Sequence, residues 1–315
     1  VKYSNTIGVA IYNAGYFNMG IQNSDFIGNY AKSYGLQGIA IYNAKNIGET
    51  GYNNVSFKNV VFNNNYGIYE PYPDKLAQGG AIYNSGTILY GIENGVFTGN
   101  YITSVATTVE DSNQDIYGGA IYNIGTLPVI SNTHFYNNYL YSLRGTAQGG
   151  AIYTTKPLEI TGLEKPTLDS TTTIVGNSAD ITLNTNKYSS FIGNYVEANH
   201  TLSGINIFGG AIWSNSDLTI NNTLFAFNRA RYTQSARGGA IYNSGGKLTI
   251  KDSLIVGNSV TNNAHGRGSA VAKEGGSITK ISGSTFAGNY SSILAPIEGV
   301  FSIDKTLTET NTIQD

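Results

Sequence analysis

The chain holds 315 residues at a formal net charge of −2, with 12% charged residues and no cysteine. Ordinary globular chains carry about 25% charge, and the absence of any basic block gives nucleic acid or an anionic membrane nothing to hold, while a chain without Cys has no disulfide or thiolate metal site. No apolar run approaches the roughly 20 residues that span a bilayer, so no membrane insertion of this segment is expected, and with no signal-peptide pattern at Val1 the sequence is expected to be a mature chain or an excised fragment.

Taken along the chain, one phrase recurs. It stands at Gly8–Asn13 (GVAIYN), Gly38–Asn43 (GIAIYN), Gly79–Asn84 and Gly118–Asn123 (both GGAIYN), then Gly149–Thr154 (GGAIYT), Gly209–Ser214 (GGAIWS), Gly238–Asn243 (GGAIYN) and Gly268–Lys273 (GSAVAK). A second phrase answers each copy: Phe26–Asn29 (FIGN), Phe62–Asn65, Phe97–Asn100, Phe135–Asn138, Phe191–Asn194, Phe225–Asn228, Ile255–Asn258 and Phe286–Asn289. One further copy, Ile174–Asn177 (IVGN), has no glycine phrase of its own, which reads as a degenerate turn of the repeat.

The step from glycine phrase to Phe phrase is mostly constant, 18 residues from Gly8 to Phe26 and 16 from Gly209 to Phe225. The return step varies from 12 residues (Phe26 to Gly38) to 21 (Phe97 to Gly118). One side of the unit is therefore fixed and the other is a connection that accepts insertions, as stacked repeats do. Within a unit, Ala240–Tyr242, Leu248–Ile250 and Ser253–Val256 are short β-branched or aromatic pieces bounded by Gly, Asn and Ser, the signature of strands. No sustained i, i+3, i+4, i+7 pattern predicts a helix.

The fold class expected is all-β: a right-handed, single-stranded parallel β-helix of pectate-lyase-like type, with eight or nine coils and three short strands per coil. At roughly 4.8 Å per coil the rod is about 40 Å long. The β-helix is expected over residues 1–304, with variable loops on one edge, and residues 305–315 (KTLTETNTIQD) read as a polar, Thr-rich tail or linker. The Ile file (Ile11, Ile41, Ile82, Ile121, Ile152, Ile212, Ile241, Val271) and the Phe file point inward, and each FxxN Asn bonds to its copy one coil away.

At these residues the chain resembles a known class of repeat proteins. Paired GGA[I/L/V] and FxxN motifs mark the passenger domains of the chlamydial polymorphic outer membrane proteins, which are autotransporter adhesins. Similar repeats occur in adhesin-like surface proteins of methanogenic archaea and anaerobic bacteria. The resemblance covers residues 8–290 and implies export, a right-handed β-helix and attachment at the cell surface. The lack of Cys and of a translocator barrel after the repeats draws the chain towards the archaeal or anaerobe type.

The unvarying Ala column keeps open the reverse pleat, with Ala and Tyr inside; with Ile inward, alternation sends its Ala and Tyr neighbours outward. Tyr12, Tyr42, Tyr83, Tyr122, Tyr153, Trp213 and Tyr242 then form an aromatic stripe, either a self-stacked ladder or a binding face for sugar rings or a protein surface. Tyr69 and Tyr72 join these candidates through the Pro-bearing bulge Glu70–Lys75 (EPYPDK). Glu110–Asp115 (EDSNQD) gathers oxygen ligands of the kind calcium takes, without the spacing of a calcium loop, and Lys156–Thr173 interrupts the period as a bulge. Sequons stand at Asn54, Asn199, Asn221 and Asn289.

No catalytic residue, metal or cofactor is assigned. Polysaccharide lyases and hydrolases on this fold need paired carboxylates or a carboxylate–metal cluster, whereas the 20 acidic residues here are scattered. Asp25 and Asp252 flank strands singly, and Arg237, His265 and Arg267 lie before glycine phrases without an acidic partner in the sequence. The leading expectation is a non-enzymatic, extracellular adhesin or stalk binding surface glycans or proteins. A head-to-tail filament subunit, whose partners are copies of itself, is the second, and a glycan-active enzyme the third.

Overall fold

The computed structural model describes residues 5–49, 54–105, 114–166, 187–199, 205–232, 235–261, 266–275 and 279–291, with short pieces at 297–298, 301–303 and 308–310. Every regular element among them is a β-strand, of two to four residues except for two strands of seven. Strands pair in parallel with the same position one unit away: Ile82 faces Ile41 and Ile121, and Phe97 faces Phe62 and Phe135. The fold is a parallel β-helix.

Five long ladders run along it among the described residues, beside a short one of three strands, Tyr16–Phe17, Asn46–Ile47 and Thr87–Ile88. Ladder 1 precedes the glycine phrases (Ala77–Gln78, Ile116–Tyr117, Ala147–Gln148) and ladder 2 is the nine-stranded stack of the Ile-Tyr-Asn pieces, of which Ile82–Asn84 is one. Ladders 3 and 4 follow, through Leu218–Asn221 and Thr223–Ala226 in one coil, and merge in the seven-residue strands Ile21–Ile27 and Phe57–Asn63. Ladder 5 starts right after the FxxN Asn, as in Tyr101–Ser104 and Tyr139–Ser142. Ladders 2, 3 and 4 are the three pieces read from the sequence; ladders 1 and 5 add to them.

The Ile file and the Phe file are buried together. Phe26, Phe62, Phe97, Phe135, Phe191 and Phe225 stack ring on ring at 4.6–4.8 Å with planes within 9°. The coil rise sets that spacing, and each ring removes a large apolar area from water.

Ala does not point outward as alternation predicts. Ala40, Ala81, Ala120, Ala151, Ala211 and Ala240 are fully buried beside the Ile file. Ala81 sits in the bend ahead of Ile82–Asn84, where the amides of Ala81 and Ile82 both donate to the carbonyl of Ala120, at 2.8 and 2.9 Å. Two successive amides on one acceptor turn the chain, so that two successive side chains meet the same core.

The glycine pair divides its labour. Gly79 holds φ at +72°, the left-handed turn into the bend. Gly80 has an ordinary backbone, but a Cβ there would stand 2.0 Å from the carbonyl oxygen of Gly119 and 3.0 Å from the amide of Tyr101. This second glycine column therefore packs backbone to backbone against the start of ladder 5, pinching the cross-section between the Ile/Phe core and a smaller cluster that holds Leu36, Ile102, Leu140 and Val196.

The FxxN Asn residues bond up the stack as expected: Asn29, Asn65, Asn100, Asn138, Asn194, Asn228, Asn258 and Asn289 form one run of side-chain amides at 2.7–3.0 Å. Asn65 shows the full pattern. Its Oδ1 accepts from the backbone amide and Nδ2 of Asn29, and its Nδ2 donates to Asn100 Oδ1 and the carbonyl of Phe26. A buried amide with both donors and both lone pairs used adds order to a core rather than cost.

Two readings of the middle of the chain are corrected. Phe135 pairs directly with Phe191, and Ile152 with Ile212, so no degenerate coil stands between them; Ile174–Asn177 itself lies outside the described residues. Lys156–Thr173 is not a bulge throughout, because Leu158–Thr161 is a regular rung of ladder 3, with Leu158 facing Leu218. The insertion follows Thr161 and rejoins at Ser189–Ile192.

Candidate functional site: aromatic ladders and edge connections

The predicted stripe forms a ladder with its flat faces turned to one another. Tyr12, Tyr42, Tyr83, Tyr122, Tyr153 and Trp213 stack at 4.2–5.2 Å with planes within 17°. Rings held this way offer solvent their edges and hydroxyls, not the faces a sugar ring would lie on. Tyr83, Tyr122, Trp213 and Tyr242 are buried, and Tyr12, at the outer end of the stack, is 55% exposed. Ladder 1 side chains cover the stripe: the Tyr117 ring lies 5.0 Å from that of Tyr153, and Phe208 stacks on Tyr242 at 4.3 Å. Tyr69 is buried as well, donating its hydroxyl to the carbonyl of Lys75 at 2.6 Å and so tying down the EPYPDK bulge, where Tyr72 meets Tyr34 edge to face.

Burial governs the acidity of these phenols. Tyr153 and Tyr188 are pushed up to about 12 by loss of water around the phenolate. Burial raises Tyr69, Tyr117, Tyr122 and Tyr139 too, and at Tyr117 the Asp115 carboxylate adds to it.

A second aromatic ladder escaped the sequence reading. Tyr30, Tyr66, Tyr101, Tyr139 and Tyr195, the first residues of ladder 5, stack at 4.4–5.0 Å. The signal was present, since the second phrase reads FxxNY in each of those units. The file then changes character. Arg229 lies over the Tyr195 ring at 5.1 Å in place of a sixth tyrosine, and Ser259 takes the next rung.

Connections of unequal length join ladder 5 to ladder 1 in successive coils. They range from Tyr34 alone, between Ser33 and Gly35, to the stretch 105–115. Much of the predicted EDSNQD oxygen cluster, residues 110–113, lies outside the described residues. Asp115 itself is occupied within the fold: Oδ1 accepts from the Thr146 amide at 2.7 Å and Oδ2 from the Tyr117 hydroxyl at 3.0 Å. Among the sequons, Asn54 and Asn199 are exposed and Asn221 half-buried. Asn289 is 1% exposed, a rung of the Asn ladder whose Nδ2 donates to the carbonyl of Ile255, which is no position for a glycan acceptor.

The charges are dispersed in pairs. Glu70, Glu93, Glu164, Glu197 and Asp252 each face a Lys or Arg at 2.8–3.6 Å. Arg237, read from the sequence as lacking an acidic partner, is paired with Glu274, which also accepts from the Tyr242 hydroxyl at 2.5 Å. Arg267 continues the Arg237 column through an isolated parallel bridge, and His265 lies outside the described residues. Among the described residues no three His, Asp or Glu side chains gather as a metal site would require, and no helix is long and apolar enough to cross a membrane, which says nothing of a β-barrel.

Residues 59–85, one span from the FxxN phrase Phe62–Asn65 through Gly79–Asn84, match the Chlamydia polymorphic membrane protein repeat. Neither the curated proteins nor the solved structures hold a match to this chain. Over that one unit, the repeat that builds this rod is similar to the repeat of the chlamydial membrane proteins.

Proposed function

We propose that the chain is an exported, non-enzymatic β-helix of the cell surface, an adhesin or stalk that presents its edge connections to surface glycans or proteins. The observation that carries this reading is the contrast between an invariant stack and the connections from ladder 5 to ladder 1, which change in length and sequence from coil to coil. Recognition sits on such connections when a rigid scaffold positions them. The likeness to the chlamydial repeat supports surface placement, and carboxylates committed to ion pairs support a role without catalysis. A glycan array and whole-cell adhesion, run beside a variant with 70–76 and 105–115 shortened, test it. Selective loss of retention by the shortened variant is expected; equal retention removes recognition by the connections.

A further inference from the structure

The repeat breaks its own rules in one coil, and both breaks face the same space. The third residue of each FxxN phrase sits in the left-handed region, as Gly28, Asn64, Gly99, Asn137, Gly193, Gly257 and Gly288 do. In the coil between Gly193 and Gly257 that position is Phe227, with φ at +55°. A bulky side chain in this region is strained, and such strain concentrates where a site is built. Two residues on, the file of stacked tyrosines stops at Tyr195 and continues as Arg229 and then Ser259.

These substitutions open a cavity of about 230 Å³ lined by Asn137, Gly193, Tyr195, Phe227, Arg229 and Ser259, with Gly257. The Phe227 ring lies so close to Gly257 that a Cβ there would stand 2.5 Å from Cε1, so the missing side chain at 257 is what lets the ring form a wall. Arg229 is held by stacking on Tyr195 and by Glu197, 3.3 Å from Nη2. Its Nε is buried and has no hydrogen-bond partner. With Arg231 also on Glu197 at 3.5 Å, the local balance is one excess positive charge.

We infer that this groove is a binding site for a carboxylated sugar, a uronic-acid-type pyranose within an acidic saccharide. The Arg229 guanidinium, a third exposed at the groove, suits an anionic acceptor, Ser259 supplies a hydroxyl, and the Phe227 ring an apolar wall for a ring's C–H face. The space fits one pyranose. An acidic peptide suits it less, because the strands around the groove are already paired on both sides (Ser190 with His134 and Leu224, Ala230 with Val196 and Val260), leaving no edge for an extended chain to join. The site lies at the corner between ladders 4 and 5 and does not depend on recognition by the edge connections.

Calorimetric titration of the full chain with tetragalacturonate, its methyl ester and tetraglutamate tests the assignment. The acid form should bind about tenfold or more tightly than the ester, the loss expected when a charged hydrogen bond is removed. Ser259→Tyr returns a tyrosine to the rung above Arg229, fills the space and should abolish binding. Phe227→Gly restores the usual residue of the turn, so it should raise the unfolding temperature while weakening binding about tenfold, a pairing that a purely structural role would not give. Equal binding of acid and ester, no binding of the acid, tighter binding of tetraglutamate, or binding unchanged in Ser259→Tyr overturns it.

Discussion

At the scale of the residue, side-chain amides do the work that ions do elsewhere. Asn100 accepts from the amide and Nδ2 of Asn65 and donates to Phe62 O and Asn138 Oδ1. Asn100→Ala leaves buried polar groups on both neighbouring coils unpaired, each worth about 1–3 kcal/mol, so a loss of roughly 3 kcal/mol is expected by urea unfolding. Asn100→Asp should cost at least as much at neutral pH, since a carboxylate would face two acceptors. This ladder was legible because Asn recurs in a fixed phrase. A second one, Asn13 to Asn43 to Asn84 to Asn123, ending on Thr154 Oγ1, was equally written in the Ile-Tyr-Asn pieces. With Ile inward, the residue two further on is inward too. The buried Ala column was half legible: its constancy kept an inward Ala open, but only in place of inward Ile, and that both face the core depends on a bend in which two amides share a carbonyl, of which strand alternation carries no trace.

At the scale of the element, the pinch between the glycine phrase and ladder 5 must be satisfied in each coil, and one coil solves it in reverse. Where Gly80, Gly119, Gly150, Gly210 and Gly239 stand second in the phrase, this coil has Ile39, buried in the smaller cluster, and Gly67 stands where its neighbours carry Ala31 and Ile102. A Cβ on Gly67 would lie 2.6 Å from Leu36 Cδ1 and 3.1 Å from Ile39 Cδ1. Ile39→Gly should cost about 2–5 kcal/mol through the cavity it opens, and Gly67→Ile should be destabilising through overpacking. The double variant recreates the arrangement of Gly80 with Ile102, so it should recover much of both losses, with a coupling energy above about 1 kcal/mol in a double-mutant cycle. The tyrosine ladders give the elements a pH signature. A phenol whose proton is held to about 12 in the fold but released near 10 when unfolded stabilises the fold in full below pH 10 and loses that contribution as pH rises towards 12. Alkaline unfolding should therefore steepen above pH 10, by up to ~1.4 kcal/mol per pH unit for each such tyrosine, and phenolate absorbance should rise together with loss of the β signal. The Tyr stripe on ladder 2 was foreseen; its self-stacking closes off the flat faces that made it attractive as a sugar platform, and ring orientation is set by coil rise, which a pattern of letters does not state.

At the scale of the molecule, contacts join each coil to its two neighbours, as the strand pairings do from Ile11 through Val271. The period made this architecture legible before any coordinate was known, and it also explains where reading failed. The IVGN phrase at 174–177 carries the right letters, yet Phe135 pairs straight to Phe191, so a phrase makes a rung only when the preceding and following turns bring it into the stack. Stability in such a stack approximates a sum over units and their interfaces. A unit flanked by regular neighbours should then be copied without harm. Gly209 to Arg237 is one lap, 29 residues from Gly209 to Gly238, and it presents the same Ile, Phe and Asn rungs to both sides. Inserting a second copy after Arg237 should lengthen the rod by about 4.8 Å in small-angle scattering and leave the circular dichroism per residue unchanged. It should not duplicate the Phe227 and Arg229 groove, because one copy would lose Gly257 and Ser259 above it and the other Tyr195 below it, so binding of tetragalacturonate should weaken. A collapsed or aggregated product would show instead that the coils are not interchangeable and that the stack depends on long-range features of this one order.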